Sequence, residues 1–250
     1  MERTLRFLAT VLSYLVYALG SLGLWSLVYP ATCWRHPPAM RSVHARRLSR
    51  RAFRFFVAWM RWTGVWEVQV EGMEHLQGSG RVIIANHPSF LDTVLLFALV
   101  DDAVCVVKPS LAKVPLVGRP IRCCGHIQAG DSRSLIPAAL TALRTGANLI
   151  LFPQGTRTPP GEPWRFHRSA ARIALEAGAP LVPVFFRYRP SLLGRGQRWY
   201  HVPARRPQVM VEVGVPIDPA IVSPDLPLSR ASRRLTRKLE TLYAGWERGC

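Results

Sequence analysis

The chain has 250 residues, a formal net charge of +18 and a mean hydropathy of +0.10, enough for one sizeable core or a domain plus an anchor. Only Lys108, Lys113 and Lys238 are lysine, so the cationic excess is nearly all arginine, the side chain suited to planar, bidentate contact with phosphates and carboxylates. Such an excess points to an anionic partner. The positive hydropathy and the lack of a recognised nucleic-acid motif favour anionic membrane lipids and exclude nucleic acid. The five cysteines, Cys33, Cys105, Cys123, Cys124 and Cys250, match neither a zinc site nor a disulfide scaffold and read as mostly buried, reduced thiols.

From Phe7 to Trp34 no residue is charged. The stretch exceeds the roughly 20 residues a helix needs to cross the hydrocarbon core. Trp25, Tyr29 and Trp34 gather at one end as an interfacial belt would, and Pro30 is expected to end the helix. Residues 1–34 are therefore expected to form a transmembrane or membrane-embedded helix. A cleaved signal peptide fits less well, for want of a small-x-small site.

Arg35 to Arg61 carries eight arginines interleaved with Phe53, Phe55, Phe56, Trp59 and other apolar residues. Residues 35–64 read as a basic amphipathic helix on a membrane surface. The basic excess there, against Arg3 and Arg6 on the other flank, places the remainder on the cytoplasmic side of the inner membrane.

Residues 65–250 alternate strands with helices, predicting an α/β domain with a mixed sheet flanked by helices. Strands are expected at Val65–Val70, Val82–Ala85, Ala103–Val107, Gly125–Ala129, Asn148–Phe152, Leu181–Phe186 and Val209–Val215. Helices are expected at Leu91–Val100, Ser132–Arg144, Ser169–Glu176 and Ser229–Trp246. The loop Pro190–Pro207 is expected to be exposed.

The run Ala85-Asn86-His87-Pro88-Ser89-Phe90-Leu91-Asp92 sits at a strand-to-helix junction, with Pro88 suited to the first helical position. Asp92 follows His87 by about one helical turn, within reach of the imidazole. A carboxylate that fixes the tautomer makes histidine a general base. No Ser, Cys or Thr nucleophile is needed if the substrate brings its own hydroxyl. A lone His with an Asp five residues on is common, so the pair gains weight from its company. After Asn148–Phe152 comes Pro153-Gln154-Gly155-Thr156-Arg157, where backbone N–H groups near Gly155 can approach an oxyanion and Arg157 can supply charge-assisted bonds. A plain polar turn is the competing reading.

In order along the chain, these blocks resemble the glycerolipid acyltransferases typified by 1-acylglycerol-3-phosphate acyltransferase. The first is Asn86-His87 with Asp92. The second runs from Lys108 through Pro115-x-x-Gly118 to Gly125-x-Ile127. The third is Phe152-Pro153-Gln154-Gly155-Thr156-Arg157 and the fourth Val182-Pro183-Val184. The resemblance spans roughly Val65 to Val215.

It implies a membrane-bound O-acyltransferase of phospholipid biosynthesis without metal or cofactor. An acyl thioester, acyl-CoA or acyl carrier protein, is the donor; a lysophospholipid, 1-acylglycerol-3-phosphate foremost, is the acceptor. His87 and Asp92 are the implied catalytic pair; Lys108, Arg133, Gln154, Gly155, Thr156 and Arg157 are the candidate substrate-binding residues. Two positions depart from the family pattern: Gln154 stands where Glu is usual, and Asp131 where an arginine holds the acceptor's phosphate. Arg133, Arg122 or Arg157 is the substitute expected for that arginine. The departures leave open a non-phosphate acceptor, such as an amino-acid lipid or a polyketide-like or pigment product. A non-catalytic lipid-binding membrane protein is the reading from a different class.

Overall fold

A computed structural model describes residues 3–130, 132–156, 162–198, 200–222 and 225–248. Asp131 and Arg157 lie outside the described residues. The helices are α1 (Arg3–Gly23), α2 (Tyr29–Cys33), α3 (Arg41–Trp62), α4 (Leu91–Leu99), α5 (Gly118–Cys123), α6 (Ser132–Arg144), α7 (Ser169–Ala177), α8 (Pro219–Val222) and α9 (Leu228–Arg248). The strands are β1 (Glu67–Glu71), β2 (Val82–Ala85), β3 (Ala103–Val107), β4 (Ile127–Gln128), β5 (Asn148–Leu151), β6 (Leu181–Arg189) and β7 (Gln208–Val213).

These strands form one sheet in the order β1-β7-β6-β2-β5-β3-β4. Every pairing is parallel except β6 with β7, so the predicted mixed α/β sheet is what forms. β2 and β5 are buried along their whole length, as apolar runs covered by helices on both faces must be.

Two cores divide the molecule. Alternate residues of β2 separate into them: Ile83 packs on one face with α3 and α4, and Ile84 on the other with α6, α7 and α9. That is the period-2 consequence of the pleat. Apolar residues of α1, including Val16 and Tyr17, border the first core.

Pro30 does not end the first helix. A π-turn at Leu24–Val28 intervenes, in which Tyr29 N–H donates to Leu24 O, and helix resumes through Cys33. The wider turn absorbs the proline, whose ring would otherwise press on the preceding carbonyl. The span Arg3–Cys33 is long and apolar enough to cross a bilayer, yet it touches the remainder along its length. Arg6 donates to Pro203 O at 3.2 Å, Trp59 Nε1 to Ser13 Oγ at 3.2 Å, and Ser21 Oγ to Leu116 O at 3.1 Å. Its opposite face presents Leu8, Leu12, Leu15, Leu19 and Leu27 to the surroundings, and α3 adds Phe55 and Trp62.

The Pro190–Pro207 segment is not simply exposed. Leu192 and Val202 are buried, and its carbonyls receive bonds from Ser89, Phe90 and Arg6. Arg46 of α3 is buried at 9 % exposure and grips the α4–β3 turn: Nε lies 2.6 Å from Asp102 Oδ1, and Nη1 3.0 Å from Cys124 O. Cys105 and Cys124 are free thiols whose pKa burial pushes up to about 12, so they carry no thiolate at neutral pH.

Candidate active site

His87 and Asp92 meet just beyond the carboxyl end of β2, a central strand. This edge of an open parallel sheet is where ligands commonly bind. Asn86 fixes the exit. Its side chain donates to Phe186 O at 2.9 Å and accepts from Phe186 N at 2.6 Å. The side-chain amide offers a donor and an acceptor side by side, matching the C=O and N–H of one residue of the neighbouring strand.

α4 begins at Leu91, as expected, but Pro88 is not its first residue: it lies in the turn before, where Ser89 Oγ accepts from Leu91 N at 3.2 Å. The same hydroxyl donates to Leu192 O at 2.6 Å, tying the turn to the segment after β6. Asp92 thus stands in the first turn of α4, where the helix dipole favours a carboxylate.

Asp92 is fully buried. Its Oδ2 lies 3.0 Å from His87 Nδ1 and accepts from Ser89 N at 2.8 Å. The Tyr188 hydroxyl, buried on β6, lies beside this carboxyl group, and among the described residues neither it nor Asp92 Oδ1 has a hydrogen-bond partner of ordinary geometry. Burial pushes the Asp92 pKa up; the His87 contact foremost, then Tyr188 and Ser89, act the other way. Tyr188 is raised well above its ordinary value by burial and by the Asp92 charge, so it stays protonated.

A carboxylate on Nδ1 places the histidine proton there and leaves Nε2 as the basic nitrogen. The His87 side chain is 19 % exposed. Its ring stacks on Phe152, centroids 4.3 Å apart, which fixes the imidazole plane from the β5 side. The arrangement can take a proton from a hydroxyl brought to Nε2 and hold the imidazolium that results.

Of the other sequence candidates, Gln154, Gly155 and Thr156 follow Phe152 directly, so they lie in the loop at the His87 side of β5. Gly155 adopts φ +68, a conformation that favours glycine, and an added Cβ would come within 3.4 Å of His167 Nε2. Both polar side-chain atoms of Gln154 are buried and have no hydrogen-bond partner among the described residues. Lys108 is exposed at the end of β3, two strands from β2. Arg133 lines a groove of about 350 Å³ between α6 and α7, with Arg144 and Arg172. Arg122 donates to Ala112 O at 3.0 Å and so braces the turn before α5. That turn requires Gly118, since a Cβ there would meet Ala112 O at 2.1 Å. Among the described residues no group of three His, Cys, Asp or Glu is placed to hold a metal ion.

Sequence reasoning missed Asn86 as a brace, and it missed Ser89, Phe152 and Tyr188 as supports of the pair. The alternation Phe186-Arg187-Tyr188-Arg189 was the available signal for Tyr188, since it continues β6 beyond its apolar run.

The acyltransferase family model matches residues 67–187. The chloroplastic 1-acyl-sn-glycerol-3-phosphate acyltransferase of Arabidopsis thaliana is 28 % identical over 160 residues, 59 % of this chain and 43 % of that protein. A lyso-ornithine lipid O-acyltransferase of Pseudomonas aeruginosa is 37 % identical over 111 residues, 42 % of each chain. These matches span less than half the length of either relative. The crystal structure of the 1-acyl-sn-glycerophosphate acyltransferase PlsC from Thermotoga maritima superposes with a TM-score of 0.69 over 98 % of both chains, at 24 % identity. Fold, ordered sequence blocks and the acyltransferase model, which covers a little under half of the chain, agree in their likeness to the glycerolipid acyltransferases.

Proposed function

We propose that this protein is a membrane-bound O-acyltransferase. It moves a fatty acyl group from acyl-CoA or an acyl carrier protein to the free hydroxyl of a lysophospholipid, 1-acylglycerol-3-phosphate foremost. The observation that carries the reading is the His87–Asp92 pair: a buried carboxylate 3.0 Å from Nδ1, at the end of a central strand, in a chain similar to this family. His87 Nε2 takes the proton from the acceptor hydroxyl as its oxygen attacks the thioester carbonyl. The C–S bond then breaks, and the thiolate leaves with the proton returned by the imidazolium. No acyl-enzyme and no metal enter this sequence.

The outward apolar faces of α1 and α3, with the arginines of α3, suit an anchor in an anionic bilayer on its cytoplasmic side. The catalytic pair belongs to the same side of the sheet, because α4 packs with α3 in one core. A lipid hydroxyl therefore need not leave the membrane surface to reach His87.

A second acceptor has a specific observation in its favour. The Gln154 amide is buried without a partner among the described residues, where the family usually has a carboxylate, and the 37 %-identical relative is named for a lyso-ornithine lipid. A neutral donor–acceptor group fits an amide-bearing amino-acid lipid. Thioester consumption decides both points. Membranes holding wild type or His87→Ala are offered lysophosphatidic acid and a lyso-amino-acid lipid. Activity on either acceptor in wild type that His87→Ala loses supports the chemistry and names the acceptor. Equal activity in both proteins refutes it.

A further inference from the structure

On the sheet side opposite α1 and α3, helix α9 carries Arg230, Arg233, Arg234, Arg237 and Lys238, all exposed. Its buried stripe is Ala231, Ser232, Leu235, Leu239 and Tyr243. The acidic residues of α9 are turned to the protein: Glu240 accepts from Phe166 N at 2.8 Å, and Glu247 accepts from Trp164 Nε1 at 2.7 Å. The outward face is thus left wholly basic over three turns, with like charges at i,i+4 that repel one another. α7 packs beside α9, with Arg165 and Arg168 exposed just before it; its own Arg172 is ion-paired with Glu176 at 2.6 Å. Beyond α7, the groove against α6 adds Arg133 and Arg144.

This face cannot be the bilayer contact, because the exposed apolar faces of α1 and α3 lie across the sheet. It is nevertheless joined to the site. His167, at the start of α7, donates its N–H to Pro153 O at 2.8 Å and lies against Gly155. The basic band therefore runs from the catalytic loop onto the side that faces the aqueous phase.

We propose that the α6–α7–α9 face docks an acidic acyl carrier protein, which delivers its thioester over the ends of β5 and β2 to His87. The proposal rests on the acyl-transfer reading above. A free acyl-CoA needs only a few cations near the loop. A basic surface spread over three helices matches a macromolecular donor of opposite charge, whose encounter it steers.

The test uses the full chain in zwitterionic phosphatidylcholine nanodiscs, with acyl-CoA and acyl carrier protein donors of the same acyl chain. In Arg233→Glu/Arg237→Glu, the KM for the carrier donor is expected to rise at least about tenfold at low ionic strength. The parameters with acyl-CoA stay within about twofold, and Arg233→Gln/Arg237→Gln lies between. An equal fall with both donors, or an unchanged carrier KM, overturns the proposal. So does a loss of binding to anionic phosphatidylglycerol vesicles with the carrier KM intact, which would make the face a lipid contact. Direct titration of fluorescent carrier protein reads docking apart from chemistry. If wild type binds the carrier and the glutamate variant does so at least about tenfold more weakly, docking stands even where no acceptor is acylated. If wild type does not bind it, docking fails even where acyl-CoA is consumed.

Discussion

Asp92→Asn separates the catalytic role of the buried carboxyl from its structural role. The asparagine is nearly isosteric, and its carbonyl can still accept from Ser89 N, 2.8 Å from Oδ2 in wild type. Turned that way, the carbonyl takes the Oδ2 place and still accepts from His87 Nδ1 as well, while the NH2 group takes the Oδ1 place. What is lost is the negative charge that steadies the imidazolium formed when Nε2 takes a proton. General-base catalysis is worth about 10² to 10⁴ in rate, equivalent to about 2.7–5.4 kcal/mol of transition-state stabilisation. The expected result is a fall in kcat of that size with little change in KM.

Stability moves the other way. Burial holds the Asp92 pKa above its ordinary 3.8, so the folded protein binds this proton more tightly than the unfolded chain. The group's contribution to stability is full below 3.8 and is lost as pH rises through the raised folded value. Above that value the asparagine variant is therefore expected to melt no lower than wild type, and its stability to depend less on pH between the two. Thioester-consumption kinetics and thermal melts from pH 4 to 8 read both effects. Activity above about a tenth of wild type would refute the electrostatic support of His87 by Asp92, and a large loss of stability would refute the desolvation argument.

Three further outcomes are expected. Tyr188→Phe removes the buried hydroxyl beside Asp92 and is expected to cost no more than about 1 kcal/mol, since the two groups share no hydrogen bond of ordinary geometry. The acid limb of its kcat/KM profile should move to higher pH, because one of the groups that lower the Asp92 pKa is gone. Arg46→Met breaks the bidentate contact with Asp102 and the bond to Cys124 O. A loss of about 2 kcal/mol lowers the melting temperature by about 4–8 °C in a chain of this size, with kcat unchanged. His126 has its pKa pushed down to about 4, mainly by burial, and its Nδ1 accepts from Cys105 N at 3.3 Å. The folded state resists its protonation, so stability is complete above the ordinary 6.5 and is lost as pH falls towards 4. The ring is partly open to solvent, which keeps the effect to about 2 kcal/mol. His126→Gln should flatten that part of the stability–pH curve, as read by urea titration.

The central strands were legible because they are buried over most or all of their length. Val82–Ala85 and Ala103–Val107 have the expected bounds, and Ser132–Arg144 does as a helix, since hydropathy and burial coincide there. β6 runs to Arg189, three residues past its apolar stretch, because antiparallel pairing with β7 satisfies its backbone whatever the side chains are. The charged Arg187 and Arg189 hid that extension, and with it Tyr188. Pro30 misled for a different reason. A proline stops a helix only where the regular ladder must continue, and the π-turn before it is a rearrangement that hydropathy does not encode. His87 and Asp92 were found by spacing, whereas Phe152 and Asn86 act through neighbouring strands, so only the sheet order makes their roles visible.

That order also shows how the pair could serve the two substrates of the proposed reaction at one edge. β2 has β5 on one side and β6 on the other. From β5 the chain passes through the Gln154–Thr156 loop into α7 on the second core, while from β2 it enters α4 on the first. The histidine therefore sits where a loop tied to the basic face meets a helix tied to the side of the sheet that carries α1 and α3. In the proposed function, a lipid hydroxyl would approach along α3 and α4 and a thioester along α7, converging on the same imidazole without crossing the sheet. Reversing the charge of α9 should then alter only the second approach, and truncating the exposed aromatics Phe55 and Trp62 of α3 only the first.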